Sequence, residues 1–281
     1  MTATRGRHAT TVGLPLMSVR AQTPRWTPGR TVAVLAFVLG LIAATIWWRV
    51  ATAKPPTLNM ISGLPRDGVV AADVGAPQSR GQWMVTSGSL LARDGALWSG
   101  VPDAGPPDPA HGRTGSAVLR AVSTRRNFRN VHVHLNLRLD GLSTTSRTPA
   151  QAWDGVHLFL RYRSPNDLYV IDLVRRDGTL TIKRKMPPTP GLSSTQTAGS
   201  EPGTYVQLAA TRAVLASGEH TFDASIRDRG TGVQISLTID GRTLLSTTDL
   251  EPSAIHTAGA VGIRGDNAEF TASQFTVTAI R

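Results

Sequence analysis

From about residue 70 onward, apolar and polar residues alternate along the chain. In Val131 to Asp140, the residues Val131, Val133, Leu135, Leu137 and Leu139 fall on one side, while His132, His134, Asn136, Arg138 and Asp140 fall on the other. Alternation of this kind marks a strand with one buried and one wet face. It recurs in Val156, Leu158, Leu160 and Tyr162, in Leu180 and Ile182, in Phe222, Ala224 and Ile226, and in Val233, Ile235, Leu237 and Ile239. Pro165-Asn166, Asp177-Gly178, Asp240-Gly241 and Gly265-Asp266 are turn signals between such runs. Short strands with one apolar face must bury it against another sheet. The predicted fold is therefore all-β, a two-sheet antiparallel jelly-roll sandwich.

The alternation gives way to an unbroken uncharged run at residues 31–48, TVAVLAFVLGLIAATIWW, bounded by Arg30 and Arg49. At a helical rise of about 1.5 Å per residue, extending this run to Ala53 approaches the ~30 Å of a hydrocarbon core. One transmembrane helix over residues 31–53 is predicted, with Trp47-Trp48 at the lipid–water interface. Arg5, Arg7, Arg20, Arg25 and Arg30 precede it and no acidic residue occurs before Asp67. The positive-inside rule then places the N-terminus in the cytoplasm and the rest of the chain outside, a single-pass cell-membrane topology. A cleaved secretory signal is the alternative, since Ala51-Thr52-Ala53 offers small residues before Lys54, though the apolar run is long for a signal core. The expected organisation is a basic disordered tail at 1–30, the membrane helix at 31–53, a Pro-containing stalk at 54–69 and an extracytoplasmic sandwich at 70–281. Met17 is an alternative start that would keep the same topology. Two irregular loops are expected at Val101 to Gly115 and Pro187 to Gly203.

This division changes the meaning of the charge. The formal net charge is +11, but residues 1–54 hold seven basic and no acidic side chains, leaving 23 basic against 19 acidic beyond. The exported part is only mildly basic, and no nucleic-acid partner is expected. The basic tail is explained by topology and by anionic lipid headgroups. Cysteine is absent, so disulfides, thiolate metal sites and cysteine nucleophiles are excluded.

Three stretches bear on family. They are Trp153 to Met186, which contains Leu160-Arg161-Tyr162, Leu168-Tyr169-Val170 and Ile182-Lys183; Ile239-Asp240-Gly241; and Gly259 to Asn267, followed by Phe275-Thr276-Val277. Together with Trp83 to Gly100 they resemble the concanavalin A-like lectin/glucanase superfamily in its laminin-G-like form. The likeness is closest to the branch containing the 3-keto-disaccharide hydrolase domain, formerly a domain of unknown function, and covers about residues 70–281. The resemblance implies a jelly roll, and fold alone does not imply a reaction. Laminarinase-type members use a Glu-x-Asp-x-Glu or Glu-x-Asp-x-x-Glu strand, which aligns carboxylates about 5–5.5 Å apart for retaining hydrolysis. The glutamates here, Glu201, Glu219, Glu251 and Glu269, form no such strand, and no catalytic residue is assigned.

A sugar site needs planar polar groups for hydroxyls and an aromatic platform for a pyranose face. The candidate carbohydrate-binding residues are His134, Asn136, Trp153, His157, Arg161, Asp266 and Asn267. His132 and His134, at i and i+2, are weak metal candidates, with His157, Asp154 or Asp266 as a third ligand. Asp266-Asn267 can also offer oxygens to calcium; otherwise no cofactor is expected. Gly-x-Ser-x-Gly and phosphate-loop motifs are absent. The reading favoured by these residues is a membrane-tethered, lectin-like module with a glycan ligand. Two alternatives stand beside it, a glycoside hydrolase of the 3-keto-disaccharide type and a structural ectodomain that binds a protein.

Overall fold

The computed structural model describes six helical positions between residues 37 and 45, then residues 56–187 and 203–280. The chain divides into two compact units, Met1–Lys54 and Pro55–Arg281. In the first unit Phe37, Val38, Leu39, Leu41, Ile42 and Thr45 are helical and exposed. Among the described residues no helix is long and apolar enough to cross a membrane. The tail at 1–30, most of the predicted span 31–53 and most of the second loop lie outside the described residues.

The second unit is a sandwich of antiparallel strands. It begins with β1 (Thr57–Asn59), β2 (Gly68–Ala71), β3 (Gln78–Arg80), β4 (Trp83–Ser87), β5 (Leu90–Arg93) and β6 (Ala96–Trp98). The middle contributes β7 (Val118–Ser123), β8 (Val131–Leu142), β9 (Gly155–Ser164), β10 (Asp167–Arg175) and β11 (Thr179–Met186). The last third adds β12 (Thr204–Arg212), β13 (Glu219–Arg229), β14 (Gly232–Ile239), β15 (Arg242–Asp249), β16 (Ala260–Asp266) and β17 (Ala268–Ala279). The first sheet runs β15-β14-β13-β8-β17-β6-β5-β2, with β1 also paired to β17. The second runs β12-β11-β10-β9-β16-β7-β4-β3. The expected two-sheet jelly-roll sandwich is thus what the chain builds.

Alternation explains the core. Val133, Leu135 and Leu137 of β8 and Phe222, Ala224 and Ile226 of β13 pack in one cluster with Val156, Leu158, Leu160 and Ile171 of the facing sheet. Each fully buried aliphatic side chain contributes about 1.5–3 kcal/mol through removal of apolar area from water. A second cluster, Val122, Phe159, Tyr162, Leu168, Val170 and Ala260 with Met84 against it, covers part of the other face of the second sheet. Strands β9 and β10 are consequently buried on both faces over most of their length.

Three expectations are corrected. Tyr162 does not continue the inner row of β9, because Arg161 adopts φ 48° and the pairing with β16 slips between Ala260 and Gly262. This bulge inserts one residue and reverses the alternation, so Arg161 turns inward and Tyr162 outward, stacked on Phe159 at 5.7 Å. Gly259 permits the close approach, since a Cβ there would lie 2.4 Å from the Arg161 carbonyl carbon. The stretch expected as a stalk contributes β1, which pairs Leu58 with Val277, and Met60, which is fully buried. Its strands are too short for their alternation to be read. Finally, Gly265-Asp266 lies within β16, and the turn falls at Asn267, with φ 47°, where the chain passes from the second sheet to the first.

Candidate functional site

The second sheet presents a groove on the face away from the central core. Outward residues of β9 (His157, Phe159), β10 (Val170, Asp172), β11 (Lys183), β12 (Tyr205) and β16 (Arg264, Asp266) line a cavity of about 220 Å³, together with Trp153 and Arg175. Register brings them together. Asp172 lies opposite His157 and Val170 opposite Phe159, while Lys183 lies opposite Val170 and Arg264 opposite His157. Phe159 and Val170 supply apolar surface, and Trp153 and Tyr205 add aromatic rings. Such rings suit the apolar face of a sugar, and the polar groups suit its hydroxyls.

The polar end is built around Asp172, which is 1% exposed. His157 Nδ1 lies 2.8 Å from its Oδ1, and Oδ2 accepts from Lys183 Nζ at 2.7 Å, Arg175 Nη1 at 3.2 Å and Thr181 Oγ1. On the other side of the imidazole, Nε2 sits 3.1 Å from Asp266 Oδ2, close enough for an ion pair but without the alignment of a hydrogen bond. Asp266 Oδ1 accepts from Arg264 Nε at 2.9 Å and Nη2 at 2.8 Å. The imidazole is thus held between two carboxylates.

Charge states follow from these neighbours. Burial opposes ionisation of His157, yet Asp172 and then Asp266 outweigh it and raise the imidazole above its ordinary value of 6.5. Burial likewise pushes the Asp172 carboxyl up, but His157 and Lys183 drive it well below the usual carboxylate range. For Asp266, burial is overcome by Arg264 and His157, which bring it down to about 2.

The pH dependence follows from linkage. A raised histidine stabilises fully below its unfolded value near 6.5 and loses that contribution as pH rises through the folded value. The depressed carboxylates stabilise above about 3.8 and lose their contribution as pH falls through their folded values. Melting curves of the wild type and His157→Gln are therefore expected to differ most between about pH 4 and 6.5 and to converge in alkaline solution. A difference that widens above pH 8 would contradict the charged imidazole.

Of the residues predicted for a sugar site, Trp153, His157 and Asp266 come together in this groove. Asn267 does not line it; its Nδ2 donates to Asp154 Oδ1 at 3.1 Å. It borders an adjoining cavity of about 280 Å³ that shares Trp153, Arg264 and Asp266. His134 and Asn136 lie on β8, in the other sheet. His134 Nδ1 is 2.9 Å from Asp223 Oδ1, and Asn136 Nδ2 donates to Glu219 Oε1 at 3.2 Å. Arg161 is fully buried; the bulge has turned it away from the groove. His132 Nε2 meets the same Asp223 oxygen at 3.0 Å, so the two weak metal candidates on β8 are separated from Asp266 by the thickness of the sandwich. Among the described residues no group of three His, Asp or Glu side chains is arranged to hold a metal ion.

Sequence reasoning missed Asp172, Arg175, Lys183 and Tyr205, whereas Arg264 belongs to the Arg264-Gly265-Asp266-Asn267 segment that it offers for a sugar. One signal was present: Asp172 is the single charged residue in Leu168 to Val174, a run otherwise apolar apart from the Tyr169 hydroxyl. A carboxylate in a strand buried on both faces needs partners. A larger cleft of about 510 Å³ at one end of the sandwich, bordered by Leu137, Leu173, Leu180, Leu215 and Phe222, is mainly apolar. The described residues that line it also include Arg175, Arg176, Asp177 and His220, but no Trp or Tyr ring.

No protein-family model and no curated protein matches the chain. Solved structures with a similar fold include the metal-free carbohydrate recognition domain of Emp46p, at 12% identity and a TM-score of 0.48, covering 79% of this chain and 99% of that one. The endo-1,3-beta-glucanase from Streptomyces sioyaensis is 13% identical with a TM-score of 0.45, covering 81% of this chain and 97% of that one. A protein of unknown function with a galectin-like fold from Bacillus subtilis is 12% identical with a TM-score of 0.46, covering 73% and 96% respectively. These are likenesses of fold at low identity.

Proposed function

We propose that the chain is a lectin-like module that captures glycan in the groove of its second sheet. The observation that supports this most is the convergence of aromatic rings and hydrogen-bonding groups around one cavity, Trp153 and Tyr205 with His157, Asp172, Lys183 and Asp266. The groove binds sugar without turning it over. Retaining hydrolysis needs one carboxyl kept protonated to donate to the leaving group, whereas Asp172 and Asp266 are both held below their ordinary values. The apolar run at 31–48 and the basic residues before it support tethering by residues 31–53 to a lipid bilayer, with the sandwich outside the cell membrane.

The test is a glycan-array screen of the full chain, with and without EDTA, followed by product analysis of each retained sugar. Retention of intact sugar is expected, and Trp153→Ala is expected to weaken it about tenfold or more through loss of an aromatic contact. Silence across the array, or equal retention by the variant, would overturn the groove as a glycan site. Release of cleaved sugar would move the assignment to an enzyme.

A further inference from the structure

Resting on that reading, we infer that the groove selects acidic glycans, sugars bearing carboxylate or sulfate groups, over neutral ones. Three basic side chains line the cavity, Arg175, Lys183 and Arg264, against two carboxylates, Asp172 and Asp266. With Asp177, which takes Arg175 Nη2 at 2.7 Å, three carboxylates meet three cations, and the His157 imidazole held between Asp172 and Asp266 adds positive charge to the lining. The two carboxylates are also already engaged. Asp172 takes Lys183, Arg175 and Thr181 on one oxygen, and Asp266 takes both Arg264 contacts on one oxygen.

Lys183 is the group best placed to meet a ligand. Its side chain is 19% exposed, and its Nζ also lies 5.8 Å from the centre of the Tyr205 ring. An ammonium has three donors, and Asp172 takes one of those of Lys183 at 2.7 Å. An incoming carboxylate or sulfate oxygen would complete this set while its ring rests near Tyr205. Lys185, whose Nζ is 5.1 Å from the centre of the same ring, adds positive charge beside it. Charge-assisted hydrogen bonds in a partly desolvated cavity are stronger than those to a neutral hydroxyl. A neutral sugar would offer the Lys183 ammonium no opposite charge beyond Asp172.

Isothermal titration of the full chain with paired oligosaccharides tests this. The pairs are oligomers of galacturonate, glucuronate and mannuronate, each beside its carboxyl-reduced neutral counterpart, with a sulfated neutral oligomer as a further arm. The acidic member of at least one pair is expected to bind about tenfold tighter or more, with affinity falling as salt rises. Lys183→Gln is expected to collapse that ratio while Lys183→Arg preserves it, with melting curves confirming that both variants fold. The sulfated arm tells a carboxylate preference from a general anion preference, both within the inference. Equal binding of acidic and neutral partners would overturn the inference and leave the groove a glycan site. Binding of neither would overturn the glycan reading itself.

Discussion

Arg161→Ala is expected to lower stability by about 3–5 kcal/mol, the range for removing one partner of a buried ion pair. For a domain of this size that corresponds to a fall in melting temperature on the order of 10 °C. The guanidinium is fully buried. Its Nε donates to the Arg129 carbonyl at 2.8 Å, Nη2 to Asn130 Oδ1 at 3.2 Å, and Nη1 to Asp228 Oδ1 at 3.0 Å and to the Ile255 carbonyl. One side chain thereby joins β9 of the second sheet to β13 of the first, to the start of β8 and to the segment after β15. Alanine would strand two carbonyls and a carboxylate that keeps only Arg129 and His256. Lysine would not restore them, because an ammonium lacks the planar fork that reaches all four acceptors. Glycan affinity measured below the melting transition should be unchanged. A large loss of affinity in the folded variant would place Arg161 functionally in the groove after all.

Asp172→Asn is expected to damage both stability and binding. The wild-type carboxylate compensates His157, Lys183 and Arg175 at 2.7 to 3.2 Å in a site almost closed to water. The amide keeps the shape but removes the charge, leaving cations facing one another at low effective dielectric. The expected cost is again about 3–5 kcal/mol, seen in chemical denaturation. The His157 imidazole, having lost its strongest anionic neighbour, should titrate at lower pH by NMR. Ligand affinity should fall because Lys183 is no longer held in place, whereas Arg175 keeps Asp177 at 2.7 Å. Unchanged affinity together with an unchanged His157 titration would show that the cluster does not organise the groove.

The strands were legible because their inner rows are unbroken: Val131 to Leu139 and Val233 to Ile239 alternate without a glycine or proline. What stayed hidden depends on register and on local exceptions to it. Arg161 reads as an outward residue until its positive φ and the close approach of Gly259 reverse the row. His157 was singled out as polar, yet the Asp172 that charges it lies fifteen residues away across a hairpin. Lys183 and Tyr205 join the groove only through cross-strand neighbours, which no spacing along the chain reveals. In the other direction, His134 and Asn136 have the right chemistry on a correctly read strand, but β8 belongs to the opposite sheet.

The most direct test of the groove is a crystal structure of the protein with an acidic oligosaccharide bound. A sugar ring is expected over Phe159 and Val170, flanked by Trp153 and Tyr205, with an anionic oxygen on Lys183 Nζ. A sugar seated instead on the His134 and Asn136 face of the first sheet, or an empty groove beside an occupied site elsewhere, would contradict it.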